Sequence, residues 1–179
     1  MPNIRPFEQF EPIIDQSAWI DESAVIIGNV RIGRNVSIWP NVTVRGDINQ
    51  IVIGHDSNIQ DNSMLHVSHD SPHMPGGAAL SIGEQVTVGH MVMLHGCSIG
   101  NRCLIGMGSL IMDHAVIEDN VILGAGSLVP GGKTLESGYL YVGRPAKRVR
   151  PLSADQLEQL CYSARQYARL ARRHAESSS

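Results

Sequence analysis

Aliphatic residues recur at every sixth position along most of this chain. Ile14, Ile20, Ile26, Ile32, Ile38 and Val44 open the series, and Ile53, Ile59 and Leu65 resume it. Ile82, Val88 and Leu94 follow, then Ile99, Ile105, Ile111, Ile117, Leu123 and Val129. Four residues after the aliphatic comes a small or β-branched residue, as at Ala18, Ala24, Val30, Val36, Ser57, Val86, Cys103 and Ser127. The residue directly after it is often glycine or acidic, as at Asp15, Asp21, Gly33, Gly54, Gly83, Gly100 and Glu118. Six residues make a short strand and a corner, and three such units close a triangular coil with the aliphatic inward and its successor outward. The eighteen aliphatic positions therefore predict an all-β parallel β-helix of about six triangular coils. The period breaks three times: extra residues at "GDINQI", a long insertion from His69 to Ser81, and one residue missing at "HGCSI". Repeat proteins place such irregularities where a binding face needs them.

Beyond the repeats the pattern changes. "VGRPAKRVRPLS" reads as a linker. Ser153 and Gln156 then form a capping box, with Leu152 and Leu157 at hydrophobic-staple positions. Leu157, Leu160, Cys161, Ala164, Ala168 and Ala171 keep one apolar stripe to about Arg172. The expected organisation is a β-helix domain over 1–150, a helix over 151–174 packed alongside it, and a disordered tail over 175–179.

Chemistry is expected where the outward position departs from glycine or acid. Arg45, Gln60, His66 and His95 are such departures, with Ile27, Trp39 and Met112 as blander ones. If the insertions bulge at corners, Arg45, His66 and His95 fall on one face in successive coils, about 4.8 Å apart per step. His66 and His95 are then stacked neighbours able to share one metal ion. His90 falls elsewhere, stacked over Gln60 and Asp61, and a third imidazole for that ion has to come from a neighbouring chain. A threefold ring brings two unlike faces together in this way. Three neutral imidazoles with an open position are a catalytic metal arrangement, for zinc or for ferrous iron or cobalt. His55, His73, His114 and His174 lack such placement and read as surface or loop residues, and Met91 and Met93 read as interface packing. Gln60 and Asp61 also fit plain corner chemistry, and "RGD" at 45–47 carries little weight.

Composition narrows the class. Only 4% of residues are aromatic and 17% charged, with a net charge of -3, which argues against a nucleic-acid partner. Three cysteines without CxxC spacing (Cys97, Cys103, Cys161) read as reduced thiols. With no signal pattern or membrane-length apolar run, a cytoplasmic protein without a membrane partner is expected.

"VRGDINQIVIGHDSNIQDNSMLHV" and "TVGHMVMLHGCSIGNRCLIGMGS" together resemble the γ-class carbonic anhydrase-like proteins, small bacterial members above all. The likeness extends through "YLYVGRPAKRVRPLS" and the terminal helix. It implies a left-handed coil and a homotrimer with metal sites at subunit interfaces. It also implies ligands His66 and His95 from one chain and His90 from the next, with carbon dioxide and bicarbonate as substrate and product. It further implies that Arg45 pairs with Asp61 across the interface, that Asp47 braces Arg45, and that Gln60 orients the nucleophilic hydroxide. The chain departs from the archaeal pattern at Ile48, where a glutamate is usual, and at "VSHDSPHMPGGA", where an acidic loop is usual. His69 or His73 is then the expected proton-transfer group. Three other readings stand beside carbon dioxide hydration. One is a hexapeptide acyltransferase, one a metal-hydroxide thioesterase acting on an acyl-CoA, and one a metal-binding trimer without catalysis.

Overall fold

The computed structural model describes residues 2–177. It is a left-handed parallel β-helix with one long helix against its side. All eighteen periodic aliphatics fall into three stacked columns. The first face pairs Ile26 with Val44, Val44 with Leu65, Leu65 with Leu94, Leu94 with Ile111 and Ile111 with Val129. The second runs Ile14, Ile32, Ile53, Ile82, Ile99, Ile117, and the third Ile20, Ile38, Ile59, Val88, Ile105, Leu123. Each column gains a further level: Ile4 below Ile26, Leu135 above Ile117, and Tyr141 above Leu123. The stack thus exceeds the expected six coils by one level: Ile4 lies outside the six-residue series, whereas Leu135 and Tyr141 continue it beyond Val129. Most inward side chains are fully buried, each stabilising the coil by about 1.5–3 kcal/mol relative to exposure.

The corners explain the polar residues between rungs. Asn35, Asn41, Asp56, Asn62 and Asn120 adopt positive φ there, a conformation that Asn and Asp tolerate because their short side chains bond locally. The insertions stay at corners, as expected. The extra residues near Asn49 extend the strand Thr43–Ile53 around the turn from the first face to the second. The long insertion closes on itself through Ser68 and Ala78, and Asn49 Nδ2 donates to the Ser68 carbonyl at 3.0 Å. Two insertions, 19 residues apart, are thereby tied together.

Two expectations change. The segment read as a linker is an antiparallel hairpin, Tyr139–Gly143 with Ala146–Pro151. The last coil exposes a row of unpaired backbone groups, and the hairpin covers it with a strand whose Lys147, Arg148 and Arg150 discourage further pairing. The helix spans Ala154–Ser177, so it continues through residues expected in the tail; Ser178 and Ser179 lie outside the described residues. His174 is exposed, as expected, with its ring against Trp39 at a centroid separation of 5.2 Å.

The capping box forms as read. The Gln156 N–H donates to Ser153 Oγ and the Ser153 N–H to Gln156 Oε1, both at 3.2 Å. Leu160, Ala164 and Ala171 bury the helix against the third face. Tyr167 meets Trp39 edge-on at 5.5 Å, and Trp39 in turn packs on Trp19 at 4.9 Å. Cys97 and Cys103 lie inside the coil, where burial pushes each thiol up to about 12. Among the described residues no helix is long and apolar enough to cross a membrane.

Candidate metal centre

Parallel pairing in register places His95 directly over His66 at the end of the first-face strands. Their rings meet edge to face with centroids 5.2 Å apart. Leu65 and Leu94 point inward beneath them, so strand alternation turns both imidazoles outward. Arg45 occupies the same column one coil below, following from the pairing of Val44 with Leu65. His90 sits in the corner where the third face turns into the first, not on the flat of the third face. It stacks over Asp61, one coil below. The two halves of the expected site therefore flank opposite edges of the first face. Among the described residues, no three potential ligands of one chain converge on a point.

The decisive feature is how each ring is held. His66 Nδ1 donates to the Arg45 carbonyl at 2.7 Å. His95 Nδ1 lies 2.7 Å from Asp113 Oδ1, and His90 Nδ1 lies 3.0 Å from Asp61 Oδ2. A carbonyl or carboxylate oxygen accepts only from a protonated ring nitrogen, so all three imidazoles have Nδ1 occupied and Nε2 left as a lone-pair donor. Ring anchoring of this kind is what metal-ligating histidines require. His55 has the opposite arrangement: its Nδ1 accepts the Arg34 N–H at 2.9 Å, which makes it a corner brace. The donor set fits a borderline divalent ion such as zinc, ferrous iron or cobalt.

Asp47 closes the lower edge. Its Oδ2 accepts from Arg45 Nη1 at 2.7 Å, so the expected brace is present. Its Oδ1 is buried without a hydrogen-bond partner and lies 3.8 Å from His66 Nδ1. Gln60 is only 5% exposed, and its Nε2 donates to Asn58 Oδ1 at 3.1 Å. Arg45 and Asp61 do not meet within one chain, as an inter-subunit pair requires.

Asp113 was not anticipated from the sequence, although it directly follows Met112, the residue one coil above His95 by the pairing of Leu94 with Ile111. Ser68 Oγ donates to its other oxygen at 3.1 Å, linking the long insertion to the His95 support. Beside Asp47 opens a cavity of about 550 Å³. Phe7, Phe10 and Ile48 give it apolar walls, and Glu8, His69 and Asp70 supply its titratable groups. His69 lines it and His73 does not.

Burial pushes the His66 imidazole below its ordinary value, outweighing the Arg45 carbonyl. The sign of the pH effect follows. As pH falls through about 6.5, the unfolded chain takes up a proton that the folded site resists, so stability present above that pH is lost on acidification. In metal-free protein, the loss measured by chemical denaturation between about pH 7.5 and about pH 5.5 should be smaller for His66→Asn than for the unaltered chain. Equal losses would contradict this assignment.

The chain has recognisable relatives in sequence and in fold. The family pattern "Bacterial transferase hexapeptide (six repeats)" matches residues 11–46 and 96–131. Protein YrdA of Escherichia coli is 55% identical over 166 residues, covering 93% of this chain and 90% of that one. Gamma carbonic anhydrase 2, mitochondrial, of Arabidopsis thaliana is 38% identical over 170 residues, covering 94% of this chain and 60% of that protein. A solved Bacillus cereus structure named a putative acetyltransferase, the BC4754 product, superposes with a TM-score of 0.89 at 39% identity, covering 97% of this chain and 96% of that one. The repeat, the paired histidines and these likenesses place the chain in the γ-class carbonic anhydrase-like family of hexapeptide-repeat proteins.

Proposed function

We propose that this protein catalyses the reversible hydration of carbon dioxide to bicarbonate at a metal site shared between subunits of a homotrimer. The observation that carries this reading is the common orientation of His66, His90 and His95, each held at Nδ1 by an oxygen. A divalent ion bound there would act as a Lewis acid and supply hydroxide near neutral pH. The exposed methionines Met91, Met93, Met107 and Met112 support trimer assembly. They form an apolar surface around both halves of the site, and such surfaces mark contact faces.

The chain's own residues divide the remaining work. Asp113 and Asp61 fix the tautomers of His95 and His90, and the Arg45 carbonyl fixes that of His66. Arg45, aligned by Asp47, is free to pair with Asp61 of the neighbouring subunit and so lock the two halves in register. The Gln60 amide nitrogen is taken by Asn58, which leaves its oxygen to accept a hydrogen bond from the attacking water and turn a lone pair toward carbon dioxide. His69, at the cavity beside Asp47, hands the released proton to buffer, the task for which this chain has Ile48 in place of the usual glutamate. An imidazole suits that task because it titrates near neutrality.

An acyltransferase or thioesterase fits less well. The cavity beside Asp47 is large enough for a bigger substrate, but Glu8, Asp47 and Asp70 line it with no lysine or arginine. Coenzyme A phosphates call for the opposite charge. Stopped-flow hydration by protein loaded with zinc or, without oxygen, with ferrous iron tests the proposal. Metal-dependent turnover supports it. A fully loaded trimer that hydrates nothing removes it.

A further inference from the structure

The third face carries a buried polar chain that nothing in the repeat requires. It starts at Gln60, whose Nε2 donates to Asn58 Oδ1 at 3.1 Å. Asn58 Nδ2 donates to Thr87 Oγ1 at 3.0 Å. Thr87 Oγ1 lies 3.2 Å from Ser163 Oγ on the C-terminal helix. Asn58 and Thr87 are 1% and 3% exposed, so none of these groups can turn to water instead.

The direction of the two amide bonds is fixed. Asn58 Nδ2 also faces the Val86 carbonyl at 3.5 Å, a neighbour that an amide oxygen would repel. Asn58 therefore gives its nitrogen to Thr87 and its oxygen to Gln60. Thr87 accepts from Asn58 with one lone pair and bonds Ser163 with its remaining capacity, where either hydroxyl can donate. Both amide bonds then point from the candidate site toward the helix, an arrangement in which each bond polarises the next. The result at the far end is a Gln60 amide with its nitrogen drawn inward and its oxygen turned out.

The helix end of the chain is itself anchored. Tyr167, one turn beyond Ser163, packs edge-on against Trp39 at 5.5 Å, and the His174 ring lies 5.2 Å from the same indole. Trp39 occupies the outward column one coil below Gln60, since Ile38 pairs with Ile59. The helix thus grips the face immediately beneath the residue it orients.

We propose that the C-terminal helix sets the orientation of the Gln60 amide, and that Thr87 and Ser163 are positioning residues for it. Neither touches substrate; each acts through Asn58. The proposal rests on the hydration reading for its catalytic meaning only, because the orientation of Gln60 is observable in the metal-free protein.

The test follows the Gln60 side-chain amide by nitrogen-15 NMR in metal-free, full-length protein, assigned with Gln60→Glu. In the unaltered chain its two amide protons should be distinct and slow to exchange. Thr87→Val keeps the shape and removes the hydroxyl; it should raise the exchange rate about tenfold or more, and Thr87→Ser should restore it. Ser163→Ala, on the half-buried helix side, removes only the last hydroxyl of the chain and tests the same point if Thr87→Val folds poorly. If wild-type protein hydrates carbon dioxide, Thr87→Val should lower kcat about tenfold at unchanged metal content, with recovery in Thr87→Ser, because misplacing a reacting partner costs rate. A Gln60 amide unchanged in both Thr87→Val and Ser163→Ala overturns the proposal, whether or not the protein hydrates carbon dioxide. An inactive wild type would instead remove the hydration reading and leave the amide measurement to decide this one.

Discussion

Protein carrying His90→Ala should retain almost no metal and show no hydration, and mixing it with a His95→Ala variant should bring part of both back. In one chain His66 and His95 share an edge of the first face, while His90 stands at the opposite edge. Removing His90 leaves two imidazoles on each interface. Loss of a direct ligand should cost more than the roughly 10–100-fold in affinity that loss of an outer partner costs. Turnover should fall with occupancy, at least about 10³-fold, since without the ion water keeps its bulk pKa. The His90→Ala protomer still offers His66 and His95, and the His95→Ala protomer still offers His90. Every mixed trimer then contains one interface with all three ligands, and random assembly restores about a quarter of the sites. Metal content and stopped-flow rates after denaturation and joint refolding read this out. Mixed trimers that stay empty would sink the shared-site arrangement, and so would a His90→Ala homotrimer that keeps its metal.

That experiment can be designed from the sequence because the repeat turns position into location. A period of six with three faces fixes which residues stack, and the observed registers follow it through both insertions. His95 falls over His66, and His90 over Asp61, as the unit count requires. The insertions do not disturb the count because the chain absorbs them at corners, where backbone can bulge without breaking a ladder. What the period could not supply were contacts that leave it. The hairpin at 139–151 pairs antiparallel, and a six-residue rule has no term for that. Ser163 meets Thr87 across a sequence separation of 76 residues, and nothing near either residue announces the other. The cavity beside Asp47 draws on residues 7–10, Asn29, 46–49 and 69–76, most of them in the N-terminal segment and the two insertions. Asp113 is the different case. It follows Met112, which the register places one coil above His95, so the rule that located the histidines also holds the information that locates their supports.

Gly96 is where that support depends on a single hydrogen atom. It follows His95 in the one corner from which the repeat has lost a residue, and it has φ of +52°. A methyl group there would strike Asp113 Oδ1, the atom that accepts from His95 Nδ1, and would lie 2.6 Å from the Ala78 side chain. Neither neighbour yields easily. Ala78 is bridged to Ser68, and Ser68 Oγ holds the other Asp113 oxygen. Gly96→Ala is therefore expected to act twice. The left-handed backbone and the crowding should destabilise the fold by about 1–3 kcal/mol, read as a lower denaturation midpoint in metal-free protein. The displaced carboxylate should release the His95 ring, lowering metal affinity by roughly 10–100-fold, read by competition with a chelator. Asp113→Ala separates the two effects, since it frees His95 without straining the corner. It should match Gly96→Ala in affinity and exceed it in stability. A Gly96→Ala protein that binds metal as tightly as wild type would show that Asp113 does not orient the ligand, and the tautomer argument for His95 would fail with it.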